Sequence, residues 1–222
     1  MNHGRPFYMH QRTLYRSTPN VDLEFLQNSF NSVPLDTYFP GNQRYRTTSR
    51  VEVTSNGCML LPKLPLYQPP SVNKLKKYGG ILREYEDAPV SLIKSEVFYK
   101  LVMEWIGYTN THPDTFSVHQ IRTTGEGLPV PEGRHSDGTL WTGLFVLKRN
   151  EIQEQSARTT YWNANNEIIM EDVLQEGELI TFEDYWYTHN TTSLVPKKDK
   201  SLAYRDVFVF TLPEHGENLK NL

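Results

Sequence analysis

Six short runs rich in β-branched and aromatic residues, at 115–123, 141–148, 159–163, 167–170, 178–188 and 205–212, alternate with polar or glycine-containing turns. No other feature constrains the fold as much, because this spacing is the pattern of an antiparallel sandwich or jelly roll. Two facing sheets can carry inward residues from remote parts of the chain into one cavity. Upstream the texture differs. Residues 1–20 are polar and aromatic without a period and read as an arm that packs on the body or stays loose. Leu23, Leu26, Phe30 and Val33 have helical spacing, which Pro34 and the Pro40-Gly41 pair end. Pro62, Pro65, Pro69 and Pro70 make 62–73 an extended connector. From Ser91 to Ile106 the spacing predicts one helix with Val97, Phe98, Leu101, Val102 and Trp105 on its buried face and Gly107 as its stop. The expectation is a mainly β protein with flanking helices (α+β). Its 222 residues form a single domain: 1–110 supply the arm and supporting helices, and 111–222 the jelly-roll core.

Lys and Arg total 23 against 26 Asp and Glu, a formal charge of −3, which offers no polybasic field for a nucleic-acid backbone or an anionic membrane. A small molecule or a protein is the better substrate class. The lone Cys58 excludes an intrachain disulfide and a cysteine-rich metal site, and fits a small buried hydrophobe. No stretch approaches the roughly 20 apolar residues of a membrane span, and no apolar leader follows Met1, so a cytoplasmic protein is expected.

Within the β half stands His135-Ser136-Asp137, followed by His189 at the end of an aromatic run and by Arg205 at the head of the last strong strand. Residues i and i+2 of an extended segment point to one side, so His135 and Asp137 can reach the same metal while Ser136 points away. With His189 they have the composition of a 2-His-1-carboxylate iron site, in which three ligands on one face leave other coordination positions open. Zinc accepts the same donors. A solvated turn helped by Gly133 and Gly138 would also explain the triplet.

Several segments resemble the Fe(II)- and 2-oxoglutarate-dependent dioxygenases, within them the branch of free amino acid hydroxylases that includes the bacterial L-isoleucine 4-hydroxylase. They are Val118-His119-Gln120-Ile121-Arg122, the stretch from Gly127 to Gly138, His189, and Tyr204-Arg205-Asp206-Val207-Phe208-Val209-Phe210-Thr211. Arg44-Tyr45-Arg46-Thr47-Thr48-Ser49-Arg50 resembles the Arg-x-Arg-x-x-Ser-Arg run that precedes the barrel in that branch. The chain departs from the branch at 155–158, which lacks its Gly-Gly pair, and after His189, where Asn190-Thr191-Thr192 replaces an early proline.

The resemblance implies a double-stranded β-helix (cupin-like) core and an enzyme that uses Fe(II), 2-oxoglutarate and O2 to hydroxylate an unactivated C–H bond of a small substrate, here a free aliphatic L-amino acid. Cyclisation or desaturation is the alternative outcome of the same chemistry, and a non-catalytic small-molecule-binding protein on the same barrel is the rival class. His135, Asp137 and His189 would then be the metal ligands. Arg205 would clamp the distal carboxylate of 2-oxoglutarate, since guanidinium matches carboxylate with two parallel hydrogen bonds; otherwise it is a surface arginine paired with Asp206. Gln120, Arg122, Arg46 and Arg50 are the candidates for substrate binding, against a buried ion pair of Arg122 with Glu132 or another carboxylate and a solvated basic edge at Arg46 and Arg50. Tyr185, Trp186 and Tyr187 could wall the pocket or belong to the core. His119 reads as a hydrogen-bonded strand residue, and His3, His10, His112 and His215 have no partner spacing.

Overall fold

The computed structural model describes residues 13–39, 41, 43–199 and 201–215. Two antiparallel sheets face each other, as expected of a jelly roll. The larger is built from β1 (Leu14–Ser17), β2 (Arg44–Thr54), β3 (Gly57–Leu60), β4 (Thr115–Thr124), β5 (Trp141–Asn150), β8 (Leu179–Glu183) and β10 (Tyr204–Leu212), in the order β1-β8-β5-β10-β4-β2-β3. The smaller holds β6 (Thr159–Asn163), β7 (Ile168–Asp172) and β9 (Tyr187–Thr191), in the order β7-β6-β9. Helices α1 (Leu23–Asn28), α2 (Val90–Ile93) and α3 (Glu96–Tyr108) accompany the large sheet. No helix among the described residues is long and apolar enough to cross a membrane.

Strand parity divides the large sheet into two chemistries. Phe116 and Val118 of β4, Phe145 and Leu147 of β5, and Phe208 and Phe210 of β10 pack with Phe98, Leu101 and Trp105 of α3 in the main core. The alternate residues, among them Val146 and Val207, meet Tyr161, Phe182 and Tyr187 between the sheets. Because side chains alternate along a strand, one face closes the core and the other is left to line a cavity. Contact on the helix side is tight. Trp105 stacks on Phe210 at 5.2 Å, and a Cβ added to Gly143 would sit 2.5 Å from Trp105 Cδ1. Gly143→Ala is therefore expected to lower stability by about 1–3 kcal/mol through overpacking, read as a drop in the urea midpoint at unchanged m-value.

Local chemistry explains where the elements depart from the expectations. The single helix over 91–106 is two, because Ser95 caps α3 by accepting the Phe98 N–H at 3.1 Å. Gly107 lies inside α3, and the chain leaves through Thr109 and Asn110, whose φ is 51°. The arm is ordered at 14–17, where β1 pairs with β8; residues 1–12 lie outside the described residues. The basic run 44–50 forms much of β2 and joins the large sheet by pairing with β4. The first sixty residues thus add three strands to the large sheet as well as a helix. The run 178–188 is not one strand: a 3-10 turn at Asp184–Trp186 breaks it into β8 and β9, which belong to different sheets.

Candidate metal and cosubstrate site

That break builds the site. Asp184 turns inward and is 1 % exposed. Its Oδ2 accepts from Ser136 Oγ at 2.7 Å, Gly138 N at 2.8 Å and Thr139 N at 3.0 Å, and its Oδ1 accepts from Asp137 N at 3.0 Å. Four donors on one carboxylate fix the loop 136–139 against the corner of the small sheet. On the loop's other side, His135 and His189 exchange backbone hydrogen bonds, N to O, of 3.0 and 2.8 Å. Gly138, at φ 76°, lets the loop turn beneath Val72, where a Cβ would meet methyl carbons at 2.8 Å.

This bracing brings His135, Asp137 and His189 together, with one possible ligand atom from each lying within 4.8 Å of the others. His135 Nε2 is 3.5 Å from Asp137 Oδ1, and His189 Nε2 is 3.7 Å from Asp137 Oδ2. Gly133 O lies 3.0 Å from His135 Nδ1 and, by accepting its proton, holds Nε2 toward the carboxylate. Thr142 Oγ1 donates to Asp137 Oδ2 at 3.3 Å. The electrostatics suit a cation. Burial raises the Asp137 pKa, but His135 and the other imidazoles outweigh it and hold the carboxyl below its ordinary range. Burial lowers His135, yet Asp137 and Glu132 lift it to about 9; burial and the neighbouring His135 push His189 down to about 4. A divalent metal would take the place of the proton that joins His135 to Asp137.

Arg205 lines the same cavity from β10. It is 3 % exposed, and its Nε and Nη2 are buried without a hydrogen-bond partner among the described residues. Burial and the neighbouring Arg149 lower its pKa to about 10, still leaving it charged at neutral pH. Tyr161 stacks on His189 with centroids 5.6 Å apart, and its hydroxyl is likewise buried and unpartnered. A buried cation beside an unused hydroxyl is incomplete without an acceptor. A carboxylate of 2-oxoglutarate supplies one, and the ligand triad nearby would hold Fe(II), so the residues present fit both groups.

Strand parity and ion pairing separate the other anticipated residues. Arg46 lines the cavity, with Nη2 3.1 Å from His119 Nδ1 and Nε donating to Thr48 Oγ1 at 3.2 Å. Gln120 and Arg122 face the opposite side of β4. Gln120 accepts from Thr47 Oγ1 at 2.9 Å and donates to Ser29 Oγ at 2.8 Å. Arg122 forks onto Asp206 with two 2.7 Å bonds, so Asp206 partners Arg122 and leaves Arg205 free. Arg50 forks onto Glu214 at 2.7 and 2.6 Å, away from the cavity. Tyr185 and Trp186 are exposed on the 3-10 turn, and Tyr187 is buried in the core between the sheets. His119 is buried and bonded to Thr48 Oγ1 at 3.0 Å, as a strand residue. Sequence reasoning missed Asp184, Tyr161, Thr142 and Arg83. Only Asp184 left a signal, a carboxylate inside an aromatic run.

Asp184→Asn keeps the shape but exchanges one acceptor oxygen for a donor that faces N–H and O–H groups. Fe(II) affinity is expected to fall about 10–100-fold, measured by anaerobic titration of the purified protein, with the unfolding midpoint recorded alongside. Unchanged affinity would show that the backbone bridge between His135 and His189 alone fixes the loop.

The sequence profile of the family described as 2OG-Fe dioxygenase matches residues 27–211. No curated protein sequence matches the chain. Among solved structures, a bsmA homolog from Methylobium petroleophilum PM1 superposes with TM-score 0.71 at 20 % identity, over 90 % of this chain and 88 % of that one. IDO from Bacillus thuringiensis gives 0.64 at 18 % identity, over 85 % and 81 %. The Fe(II)/(alpha)ketoglutarate-dependent dioxygenase TqaL gives 0.63 at 17 % identity, over 90 % and 82 %. At these identities the superpositions speak for the fold, and the profile match over most of the chain for the family. The chain belongs to the 2OG-Fe dioxygenases, enzymes that use Fe(II), 2-oxoglutarate and O2.

Proposed function

We propose that this dioxygenase, acting as a single domain, hydroxylates a C–H bond of a free L-amino acid, with His135, Asp137 and His189 holding Fe(II) and Arg205 holding the distal carboxylate of 2-oxoglutarate. The observation that carries the cosubstrate assignment is the buried, unpartnered guanidinium of Arg205 in the cavity of the ligand triad. Bound Fe(II) and 2-oxoglutarate supply oxygen activation: substrate, 2-oxoglutarate and O2 become alcohol, succinate and CO2, with one oxygen atom in the alcohol and one in succinate.

The chain's own groups position and exclude water. Tyr161 offers its hydroxyl beside Arg205, and Val207, two residues further along β10, and Leu144 add apolar lining to the cavity. Thr142 orients Asp137. On the substrate side Arg46 faces the cavity without a carboxylate partner among the described residues, anchored to His119 and Thr48 and lying 4.9 Å over the Tyr85 ring. It is the group we assign to the substrate carboxylate. Glu132 lines the same wall, accepts from Asn73 Nδ2 at 3.3 Å, and has no cation within ion-pair distance among the described residues, which suits it to an ammonium. The likeness of 44–50 to the amino acid hydroxylase branch supports the same reading. Gln120, Arg122 and Arg50 take no part in it.

The test is succinate release by anaerobically Fe(II)-loaded protein, started with O2, in the presence of each free amino acid. Stimulation by at least one of them, with a product heavier by one oxygen, is expected. A product lighter by two hydrogens would move the reading to desaturation or cyclisation, and no stimulation by any would remove the amino acid assignment.

A further inference from the structure

The cavity continues outward from the ligand triad along β4 and β2 to the proline-rich connector, and its outer wall carries Arg44, Arg46 and Arg83. Arg44 has a counter-ion, Asp36 Oδ2 at 3.7 Å. Arg46 and Arg83 form no ion pair among the described residues. Arg83 is 2 % exposed, donates from Nη2 to Gln68 Oε1 at 2.6 Å, lies 5.2 Å over the Tyr78 ring, and leaves its Nε without a hydrogen-bond partner. A neutral amide and an aromatic face hold a guanidinium in place without neutralising it. Burying a cation in that state is unfavourable, and the cost is recovered when an anion arrives. The three arginines also act on one another, since Arg44 and Arg83 add to burial in lowering the pKa of Arg46.

The unpaired charges on this wall are therefore two cations, Arg46 and Arg83, and one anion, Glu132. An aliphatic amino acid brings one carboxylate and one ammonium, and would leave one buried guanidinium unanswered. An acidic amino acid brings two carboxylates and one ammonium, the complement of the wall. We infer that the substrate carries a second carboxylate, read by Arg83, and belongs to the acidic amino acids rather than the aliphatic ones implied by the family resemblance. The inference rests on the amino acid reading above for the roles of Arg46 and Glu132, but the role of Arg83 needs only a dianionic substrate. The connector 62–73 then has a task, since it brings Leu66, Tyr67 and Gln68 to the wall where Arg83 sits.

The experiment compares wild-type protein and Arg83→Gln in substrate-dependent succinate formation, with product masses, on four probes: L-glutamate, L-glutamine, L-isoleucine and 3-methylglutarate, a dicarboxylate without an amino group. Wild type is expected to prefer L-glutamate over L-glutamine and L-isoleucine by about tenfold or more in kcat/KM, because a site built around a buried charge rejects a ligand that leaves it unpaired. Arg83→Gln should remove most of that preference by raising KM for L-glutamate while leaving the L-glutamine value nearly unmoved, a pattern that loss of folding would not give. Equal or better turnover of L-isoleucine by wild type overturns the second carboxylate and leaves the amino acid reading standing. Oxidation of 3-methylglutarate with no amino acid oxidised does the reverse. Oxidation of none of the four overturns the acidic assignment, and stimulation by the wider amino acid panel then decides the other. The wild-type comparison stands even if the variant does not fold.

Discussion

Alanine at any one of His135, Asp137 or His189 is expected to abolish substrate-dependent succinate formation and to remove stoichiometric Fe(II) binding, which in the wild type should reach one ion per chain. The three side chains come from a loop and a strand of the small sheet and converge within 4.8 Å, so each would supply a ligand the others cannot replace. The fold should survive. What joins the loop to β9 is the pair of main-chain hydrogen bonds between residues 135 and 189, together with the grip of Asp184, and none of these uses a ligand atom. Each variant should therefore keep its far-ultraviolet circular dichroism and a cooperative unfolding transition. Asp137→Ala has a further signature: without the carboxylate, the charge that lifts His135 to about 9 is gone, and His135 should titrate markedly lower in the metal-free protein. Near wild-type succinate production by any of the three under limiting iron would exclude that residue from the ligand set.

Elements whose physics is local were legible in the sequence, and those decided by distant contacts were not. The β-branched runs of β4, β5, β6 and β10 are paired close to their expected bounds, because period-2 alternation is written in the residues themselves. The periodicity over 91–106 does not mark the break at Ser95, where a hydroxyl that could face solvent instead caps α3. The run 178–188 reads as one strand, since nothing in Glu183-Asp184-Tyr185 announces that Asp184 will leave the ladder to accept four hydrogen bonds from residues 136–139. The same limit governs the site. His135 and Asp137 are two residues apart and could be placed on one side by parity alone. Choosing between the arginines required knowing which carboxylates fold against them: Asp206 takes Arg122 and Glu214 takes Arg50, whereas Arg205 and Arg46 are left to the cavity. Gln120 and Arg122 do share a face, but it is the one turned away from the cavity. An absolute assignment of faces needs the second sheet, which a single strand does not encode.

Arg205→Ala is expected to weaken 2-oxoglutarate binding by roughly 3 kcal/mol, about a hundredfold in apparent Kd, because a desolvated carboxylate loses a charge-assisted fork. Two facts about the free protein set that size. The guanidinium is buried with two of its nitrogens unpartnered, so no internal hydrogen bond has to be broken when the carboxylate arrives. Arg149, the neighbouring cation, is bonded through Nη2 to the carbonyls of Glu154 and Ser156 at 3.0 Å, and so is not placed to take over. Arg205→Lys should recover only part of the affinity, since an ammonium restores charge but not two parallel donors. Tyr161→Phe should cost less than Arg205→Ala, as it removes one neutral donor and keeps the ring stacked on His189. The readout is direct binding of 2-oxoglutarate to the anaerobic Fe(II) protein, followed by calorimetry. If both Arg205 variants bound 2-oxoglutarate as tightly as wild type, the anchor would have to lie among Arg46 and Arg83 on the outer wall, and the orientation of cosubstrate and substrate in the cavity would be reversed.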